Sequence, residues 1–303
     1  MVNDVPAISV ILPIYKPNIL QLKEALDSVL EQSFENFECI CIYDSPEDSL
    51  TKILNLYAEN DSRFKVINGT NNGLIPALNL GLKLSKGKYI ARMDADDICL
   101  STRFENQYLL LEDQNYDLVG GHYFVINASG KYLSARVTPI TQHEIAVILS
   151  STVPFAHSSV MMRSAFLEYN NLSYGVGECK IAEDYQLWVQ MFNLGARFGN
   201  VDEWVLKYRW SEGSLSQLVR AENKLDMLKI RNTFIKSNKS MLRKSISILA
   251  GEKLTPELEE TLCFLALKIF AIDFQVRRLL NVLRKMNRRS LAGGSLKFIF
   301  ENF

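Results

Sequence analysis

The feature that most constrains this chain is an alternation in its first ninety or so residues. Short apolar runs rich in β-branched residues take turns there with segments of helical periodicity. "ISVILPI" (8–14), "FECICIY" (37–43), "FKVI" (64–67) and "KYIARM" (88–93) read as buried strands. Between them, Ile19, Leu22, Ala25, Leu26, Val29 and Leu30 recur at helical spacing. Leu50, Ile53, Leu54 and Tyr57 line a second helix, and a third runs from about Leu74 to Ser85. Strands joined through helices by short connections predict an α/β fold with a mainly parallel, doubly wound sheet. Ligands of such sheets bind beyond the carboxyl ends of the strands. The segments expected there, "PIYKPN", "YDSPEDS" and "DADD", are polar or turn-forming, so one shared site is expected at that edge.

The middle of the chain, from about Asp117 to Arg209, is more mixed. "YDLVGGHYFVINASGKYLSARV" reads as a hairpin turning at Asn127–Gly130, and "SSVMMR" (158–163) as another strand. "AEDYQLWVQMFNLG" (182–195) reads as a helix closed by Gly195. From Ser214 onward the pattern is helical, which divides the chain into an α/β domain at 1–213 and a helical C-terminal region at 214–303. The end of that region is basic. Arg277, Arg278, Arg284, Lys285, Arg288, Arg289 and Lys297 are interleaved with Leu279, Leu280, Val282, Leu283, Met286, Leu291, Phe298 and Phe300. A basic amphipathic helix can lie on an anionic membrane surface; a helix packed on its own domain with a solvated basic face reads equally well.

Bulk composition excludes several classes. Of 303 residues 48% are apolar, enough for a sizeable core. Lys plus Arg and Asp plus Glu both number 34, so the chain has no overall signature of a nucleic-acid binder. Cys39, Cys41, Cys99, Cys179 and Cys263 lack metal-ligand spacing and a paired framework, which fits a reducing compartment. The amino terminus reads as a strand rather than a leader, and no run approaches the roughly 18–20 apolar residues that span a bilayer. The expected location is therefore cytoplasmic; peripheral contact at the inner face of the membrane follows from the membrane-surface reading of the basic helix and not from the packed one.

Asp94, Asp96 and Asp97 follow directly on the fourth apolar run. Carboxylates this close cap a helix, bind a cation or decorate a solvated loop. Thr102 and Glu105 stand at capping-box spacing, but they follow the cluster. An EF-hand-like loop fails, because Ile98 and Cys99 stand where an oxygen ligand and the turn glycine belong. The remaining functional reading is a divalent ion held by one or two carboxylates and completed by substrate phosphates. Mg²⁺ commonly binds this way, and Mn²⁺ suits the same oxygens. Residue chemistry alone leaves this reading and the solvated loop both open.

Eight segments occur in a fixed order over roughly residues 7–216. They are "SVILPIYKP", "LDSVLEQSFENFE", "YDSPEDS", "NNGLIPALNLGL", "GKYIARMDADD", "FAHSSVMMR", "EDYQLW" and "YRWSEGSLS". In this order the chain resembles family 2 of the inverting, nucleotide-sugar-dependent glycosyltransferases, which have an A-type, Rossmann-like fold. Within that family it looks most like bacterial enzymes that build surface polysaccharides. The resemblance implies that Pro13 and Tyr15 line the base pocket and that Asp44 binds the nucleoside. Family members usually carry two Asp before Gly-Ser at that point, where this chain has Tyr43-Asp44-Ser45-Pro46. Asp94 and Asp96 match the Asp-x-Asp motif, with Asp96 the metal ligand and Asp94 facing the ribose or the metal. Arg92 is then placed to hold a phosphate, against the alternative of a surface salt bridge with the same carboxylates.

Glu183 and Asp184 match the family's Glu-Asp pair, with Asp184 as general base. An acceptor hydroxyl is a poor nucleophile, so a carboxylate must take its proton as the new bond forms, and a helix N-terminus favours the ionised form. Simple capping of that helix is the competing explanation. Arg209 matches a segment that closes on the diphosphate in related enzymes, with Ser211 where His is common. His157 is an acceptor or donor-sugar contact, against a hydrogen-bonded structural role. Trp188 is a platform for a sugar ring, against core packing. The activity implied is transfer of a hexosyl or N-acetylhexosaminyl group from a nucleotide diphosphate sugar, a UDP-sugar first, with Mn²⁺ or Mg²⁺. The acceptor implied is a saccharide or lipid-linked oligosaccharide of O-antigen, capsule or exopolysaccharide. One rival is a sugar nucleotidyltransferase, which usually needs a Gly-rich basic loop that "PIYKPNIL" lacks. The other is a non-catalytic nucleotide-sugar-binding module, against which Asp94, Asp96, Glu183 and Asp184 argue.

Overall fold

In a computed structural model of the protein, residues 5–43, 48–69, 72–176, 182–211, 224–271, 276–286 and 293–294 are described. The described chain forms two compact units, residues 1–138 with 155–224, and residues 139–154 with 225–303.

The first unit is built on a nine-stranded sheet. Its parallel half consists of β1 (Ile8–Ile14), β2 (Phe37–Tyr43), β3 (Phe64–Asn68) and β4 (Tyr89–Arg92), in spatial order β3-β2-β1-β4. Every residue of β1 is buried, as expected of a central strand covered on both faces. The crossovers are helices: α1 (Ile19–Leu30), α2 (Asp48–Asn60) and α3 (Leu74–Leu84). Asn18 starts α1 by accepting from the N–H groups of Leu20 and Gln21, and Leu22, Ala25, Leu26 and Val29 face the core. On α3, Gly81 allows close approach to β1, since a Cβ there would sit 2.5 Å from Ile11 Cγ2.

Beyond β4 the sheet becomes mixed. It is completed by β5 (Ile98–Cys99), β6 (Leu118–Ile126), β7 (Tyr132–Arg136), β8 (Met161–Arg163) and β9 (Phe198–Arg209). β8 runs antiparallel to both β4 and β6, while β9 runs parallel to β6. The hairpin expected around Asn127–Gly130 is β6–β7. β9 and β5 carry no clean sequence signal. Asp202–Glu203 interrupts the apolar run of β9, and its register with β6 shifts twice between Gly121 and Tyr123. β5 is only two residues long.

Two helices hold the edge of the sheet that matters below, α4 (Arg103–Gln114) and, after α5 (Gln142–Leu149) and α6 (Ser164–Tyr169), α7 (Glu183–Asn193). The capping box expected from Thr102 and Glu105 is not formed: Thr102 makes no side-chain cap bond, and Glu105 instead accepts from Ser33 Oγ at 2.9 Å. Arg103, fully buried, donates from Nη2 to the carbonyls of Arg92 (2.9 Å) and Val160 (3.2 Å), pinning the end of β4.

The second unit joins α5 to α8 (Lys224–Ser237), α9 (Lys239–Leu249), α10 (Pro256–Ala266), a π turn (Leu267–Ala271) and α11 (Val276–Leu283). Its core includes Ile145, Phe234, Leu242, Ile246, Leu262 and Phe264. His143 of α5 and Ser245 of α9 are hydrogen-bonded at 3.0 Å. The sequence places a single boundary at 213/214. The compact units instead separate at 224/225 and draw residues 139–154 in with the C-terminal helices. Cys39, Cys41, Cys99 and Cys263 are buried free thiols.

Candidate active site

The carboxyl ends of β1, β2 and β4 lie side by side. Ile14 pairs with Tyr43 and Ile11 with Arg92, so Tyr15 and Asp94 emerge at the same edge. Pro13 is enclosed within β1, whereas Tyr15 is 63% exposed beside Lys16, a non-glycine residue at φ 41°. Asp44 lies outside the described residues.

Asp94, Asp96 and Asp97 each offer a carboxylate oxygen, and these atoms lie within 4.8 Å of one another. Each carboxylate has a different neighbour. Asp94 is ion-paired with Nη1 of Arg92. Asp97 is buried and accepts from the Arg209 N–H (2.6 Å) and from Ser158 Oγ. Asp96 meets no side-chain donor among the described residues, which leaves its carboxylate the freest of the three. Burial, and then the charge of Asp94, push the Asp96 carboxyl up to about 6. Burial, followed by Asp94 and Asp96, holds Asp97 well above the usual carboxylate range.

Arg92 stands at the centre of this charge. It is 3% exposed while Asp94 is half-buried, so the salt bridge weighed from sequence as a surface one has its cation buried. Its field reaches Asp96, Asp184, His157 and Tyr174. Its Nε is buried and has no hydrogen-bond partner among the described residues. A buried N–H left unmatched is costly, and it suits an anion delivered by a ligand. Hard carboxylate oxygens at this spacing, with an unmatched guanidinium N–H beside them, fit a divalent cation carrying a diphosphate.

Glu183 and Asp184 form the first turn of α7. Asp184 Oδ1 accepts from the Tyr185 N–H at 2.6 Å. Burial, and then Glu183, push the Asp184 carboxyl up to about 7, with Arg92 pulling the other way. A carboxylate so poised is suited to accept a proton near neutral pH. His157 leads a 3₁₀ turn at His157–Ser159, and its Nε2 lies 3.2 Å from the Tyr174 hydroxyl. Burial and the nearby Arg92 hold its pKa well below the usual value, so the ring is neutral.

Two sequence expectations are corrected. Trp188 is fully buried, packed edge-on against Phe155 (5.2 Å) and His157 (6.0 Å), so no ring face is open to a sugar. Its periodic place on α7 made it core, and it backs His157 rather than forming a platform. Arg209 does not present a free guanidinium. Its Nε donates to the Asp96 carbonyl (2.6 Å), Nη1 to those of Asn127 (3.2 Å) and Ala128 (3.1 Å), and Nη2 to Glu24 Oε2 (2.5 Å). Together with its backbone bond to Asp97, these contacts make Arg209 a clamp on the acidic loop. Arg209→Gln is expected to cost roughly 1–3 kcal/mol of stability, because three part-buried carbonyls and Glu24 lose a charged donor; thermal unfolding would measure it.

Residues missed from sequence are Ser158, which shares the "FAHSSVMMR" segment with His157, and Tyr174, for which no local signal exists. Asp97 was legible only as part of the cluster.

The family model described as "Glycosyl transferase family 2" matches residues 9–169, more than half of the chain, including β1, the acidic loop and the His157 turn. The chain belongs to glycosyl transferase family 2. This family 2 glycosyltransferase is 34% identical over 210 residues to the putative glycosyltransferase EpsE of Bacillus subtilis, covering 68% of this chain and 74% of EpsE. It is 31% identical over 189 residues to the O-antigen biosynthesis glycosyltransferase WbnJ of Escherichia coli, covering 61% of this chain and 72% of WbnJ. Against other curated relatives it spans only a part: 34% and 33% of the length of two glycosyltransferases from Rickettsia. Its fold matches that of S. aureus TarS 1–349 in complex with UDP-GlcNAc, at a TM-score of 0.56 and 17% identity over 97% of this chain and 88% of that one. In this glycosyltransferase, Asp94, Asp96 and Arg92 fall inside the family-matched span, whereas Glu183, Asp184 and Arg209 fall beyond it.

Proposed function

We propose that the chain transfers a sugar, with inversion at the anomeric carbon, from a nucleotide diphosphate sugar to a hydroxyl of a saccharide in surface-polysaccharide synthesis. The observation that carries this reading is the triad of carboxylates at the end of β4, within 4.8 Å of one another, with the buried Nε of Arg92, unmatched among the described residues, beside them. Arg92 also pulls the Asp184 carboxyl down, so in this reading one buried cation bears on both the diphosphate and the proton acceptor. UDP-sugars are the first choice of donor, in keeping with the UDP-GlcNAc bound to the fold neighbour TarS. The O-antigen role of WbnJ supports a saccharide or lipid-linked oligosaccharide as acceptor.

In the proposed reaction Tyr15 lies against the nucleotide, and Arg92 holds a diphosphate oxygen through its unmatched N–H. Asp96, with Asp94 beside it, would hold Mn²⁺ or Mg²⁺, which would supply Lewis-acid stabilisation of the leaving diphosphate and a template for its orientation. Asp184 takes the proton of the acceptor hydroxyl while that oxygen attacks the anomeric carbon from the face opposite the diphosphate. The C1–O bond to the diphosphate breaks in the same displacement, so an α-linked donor gives a β-linked product. In this reading His157, neutral and hydrogen-bonded to Tyr174, contacts the acceptor. Peripheral membrane contact through the basic C-terminal segment belongs to the same proposal; among the described residues no helix is long and apolar enough to cross a membrane.

Calorimetric titration of the protein with UDP, GDP and TDP, with and without Mn²⁺, tests the donor site. UDP binding that needs the metal and is lost in Asp96→Ala is expected. Binding that ignores the metal, or no binding of any nucleotide, would sink the assignment of the acidic loop.

A further inference from the structure

His157 is one end of a chain of hydrogen bonds that begins on α3. Asn79 of that helix binds both backbone groups of Tyr174. Its Nδ2 donates to the Tyr174 carbonyl at 3.0 Å, and its Oδ1 accepts from the Tyr174 N–H at 2.9 Å. An amide bonded in this way satisfies a residue's donor and acceptor at once, as a neighbouring strand would, and so fixes both its place and its orientation. The next residue tightens the fit. Gly175 has φ 73°, and a Cβ there would stand 2.8 Å from Ile75 Cγ2, also on α3. The Tyr174 side chain is thereby held in the candidate site, 2% exposed and within the fields of Arg92, Asp184 and Glu183. Its hydroxyl meets Nε2 of His157 at 3.2 Å.

The direction of that last bond decides what His157 can offer. A neutral imidazole has one N–H and one lone pair, and a bond made at one nitrogen sets the role of the other. Between a phenol and a neutral imidazole, the phenol is the stronger acid and the ring nitrogen the better acceptor, so Tyr174 donates and Nε2 accepts. Burial raises the Tyr174 pKa, which keeps the phenolic proton available for this bond. The ring proton of His157 then resides on Nδ1. We propose that Tyr174, clamped by Asn79, is a positioning residue that holds His157 in its Nδ1–H form and so makes the histidine a hydrogen-bond donor to a saccharide oxygen. A sugar lacking that oxygen is discriminated against, because the N–H would be left unmatched. The saccharide contact rests on the proposed role of His157 in the transfer reaction, whereas the Asn79–Tyr174–His157 chain does not.

Nitrogen-15 NMR of the full chain, labelled at histidine and kept near neutral pH, tests the chain of bonds. The protein has three histidines, and the signals lost in His157→Gln identify the ring concerned. In the wild type the proton is expected on Nδ1. Tyr174→Phe keeps the aromatic ring and removes only the hydroxyl, so it is expected to fold and to shift His157 to a mixture of both tautomers. Asn79→Ala, which removes both bonds to the Tyr174 backbone, is expected to give a mixture as well. A wild-type ring protonated on Nε2, or a Tyr174→Phe ring still wholly in the Nδ1–H form, overturns the proposal; an unchanged ring in a folded Asn79→Ala removes Asn79 from it. Titration with methyl glucoside, methyl galactoside and methyl N-acetylglucosaminide, in the presence of UDP and Mn²⁺, separates the chain from the contact it serves. Movement of the His157 Nδ1 signal by at least one glycoside, with affinity about fivefold weaker in Tyr174→Phe, is the expected result. An Nδ1–H ring that no glycoside moves would sink the saccharide contact while upholding the positioning of His157 by Tyr174.

Discussion

Asp184→Asn is expected to lower kcat by a factor of about 10²–10⁴, the usual contribution of a positioned general base. The wild-type pH profile should bear the mark of that base. Its carboxyl is held up to about 7 by burial and by Glu183, and only the ionised form accepts a proton. Activity is therefore expected to rise through about pH 7 and level off above it, and the residual activity of the variant should lose this limb. Glu183→Gln removes the second cause of the shift, so it should move the limb to lower pH while burial still keeps it above an ordinary aspartate. The stability effect has the opposite sign to that of a salt-bridged carboxylate. Because the folded pKa lies above the unfolded one, the contribution of Asp184 to stability is greatest at acid pH and declines as the pH rises towards 7. A pH profile with no ionisation between 6 and 8 would remove Asp184 from the base role.

Arg92→Gln is expected to lower kcat/KM by about 10²–10³, in the range seen when one preorganised donor to developing negative charge is removed. Two further readouts distinguish this from a simple loss of packing. Arg92 pulls the Asp184 carboxyl down, so its removal should shift the ascending limb upward in pH. His157 is held neutral partly by Arg92, so its pKa should rise towards the ordinary value, which proton NMR of the ring would follow. An unmoved limb together with an unmoved histidine would mean that Arg92 serves the fold alone.

The parallel half of the sheet could be read almost completely from sequence because each of its strands is a short, apolar run bounded by turn residues, and each crossover helix shows one apolar face. β9 was not legible. Its acidic interruption at Asp202–Glu203 and its shifted register with β6 erase the period-2 pattern by which a strand is recognised. At the site, the acidic loop and the Glu183–Asp184 turn stand out as charge patterns local in sequence. The role of Arg209 does not, since it is a single basic residue whose meaning lies in long-range partners; Arg92 was legible beside its near neighbour Asp94, but its burial was not. Arg209 binds carbonyls and a carboxylate 81 to 185 positions away, and only the folded chain shows that its guanidinium is already taken. Trp188 misled for a related reason: an aromatic one turn from a catalytic candidate has the same spacing whether it faces a substrate or the core.

The membership of α5 in the second unit bears on how such an enzyme can be cut or recombined. Residues 139–154 leave the first unit and return to it, so the chain passes between the two bodies more than once. Ile145, Ala146, Val147, Ile148 and Leu149 of α5 are all buried, although the family-matched span covers this helix and stops short of the C-terminal helices with which it is grouped. A truncation at 224 would strip those partners away and uncover side chains worth about 1.5–3 kcal/mol each for the larger aliphatics. Such a fragment is expected to aggregate where the full chain does not. In evolutionary terms, the C-terminal helices are not a cassette exchangeable at a single joint. A successful swap must carry α5 along with them, so acquiring a new second unit would take a coordinated change at two separate stretches of the gene.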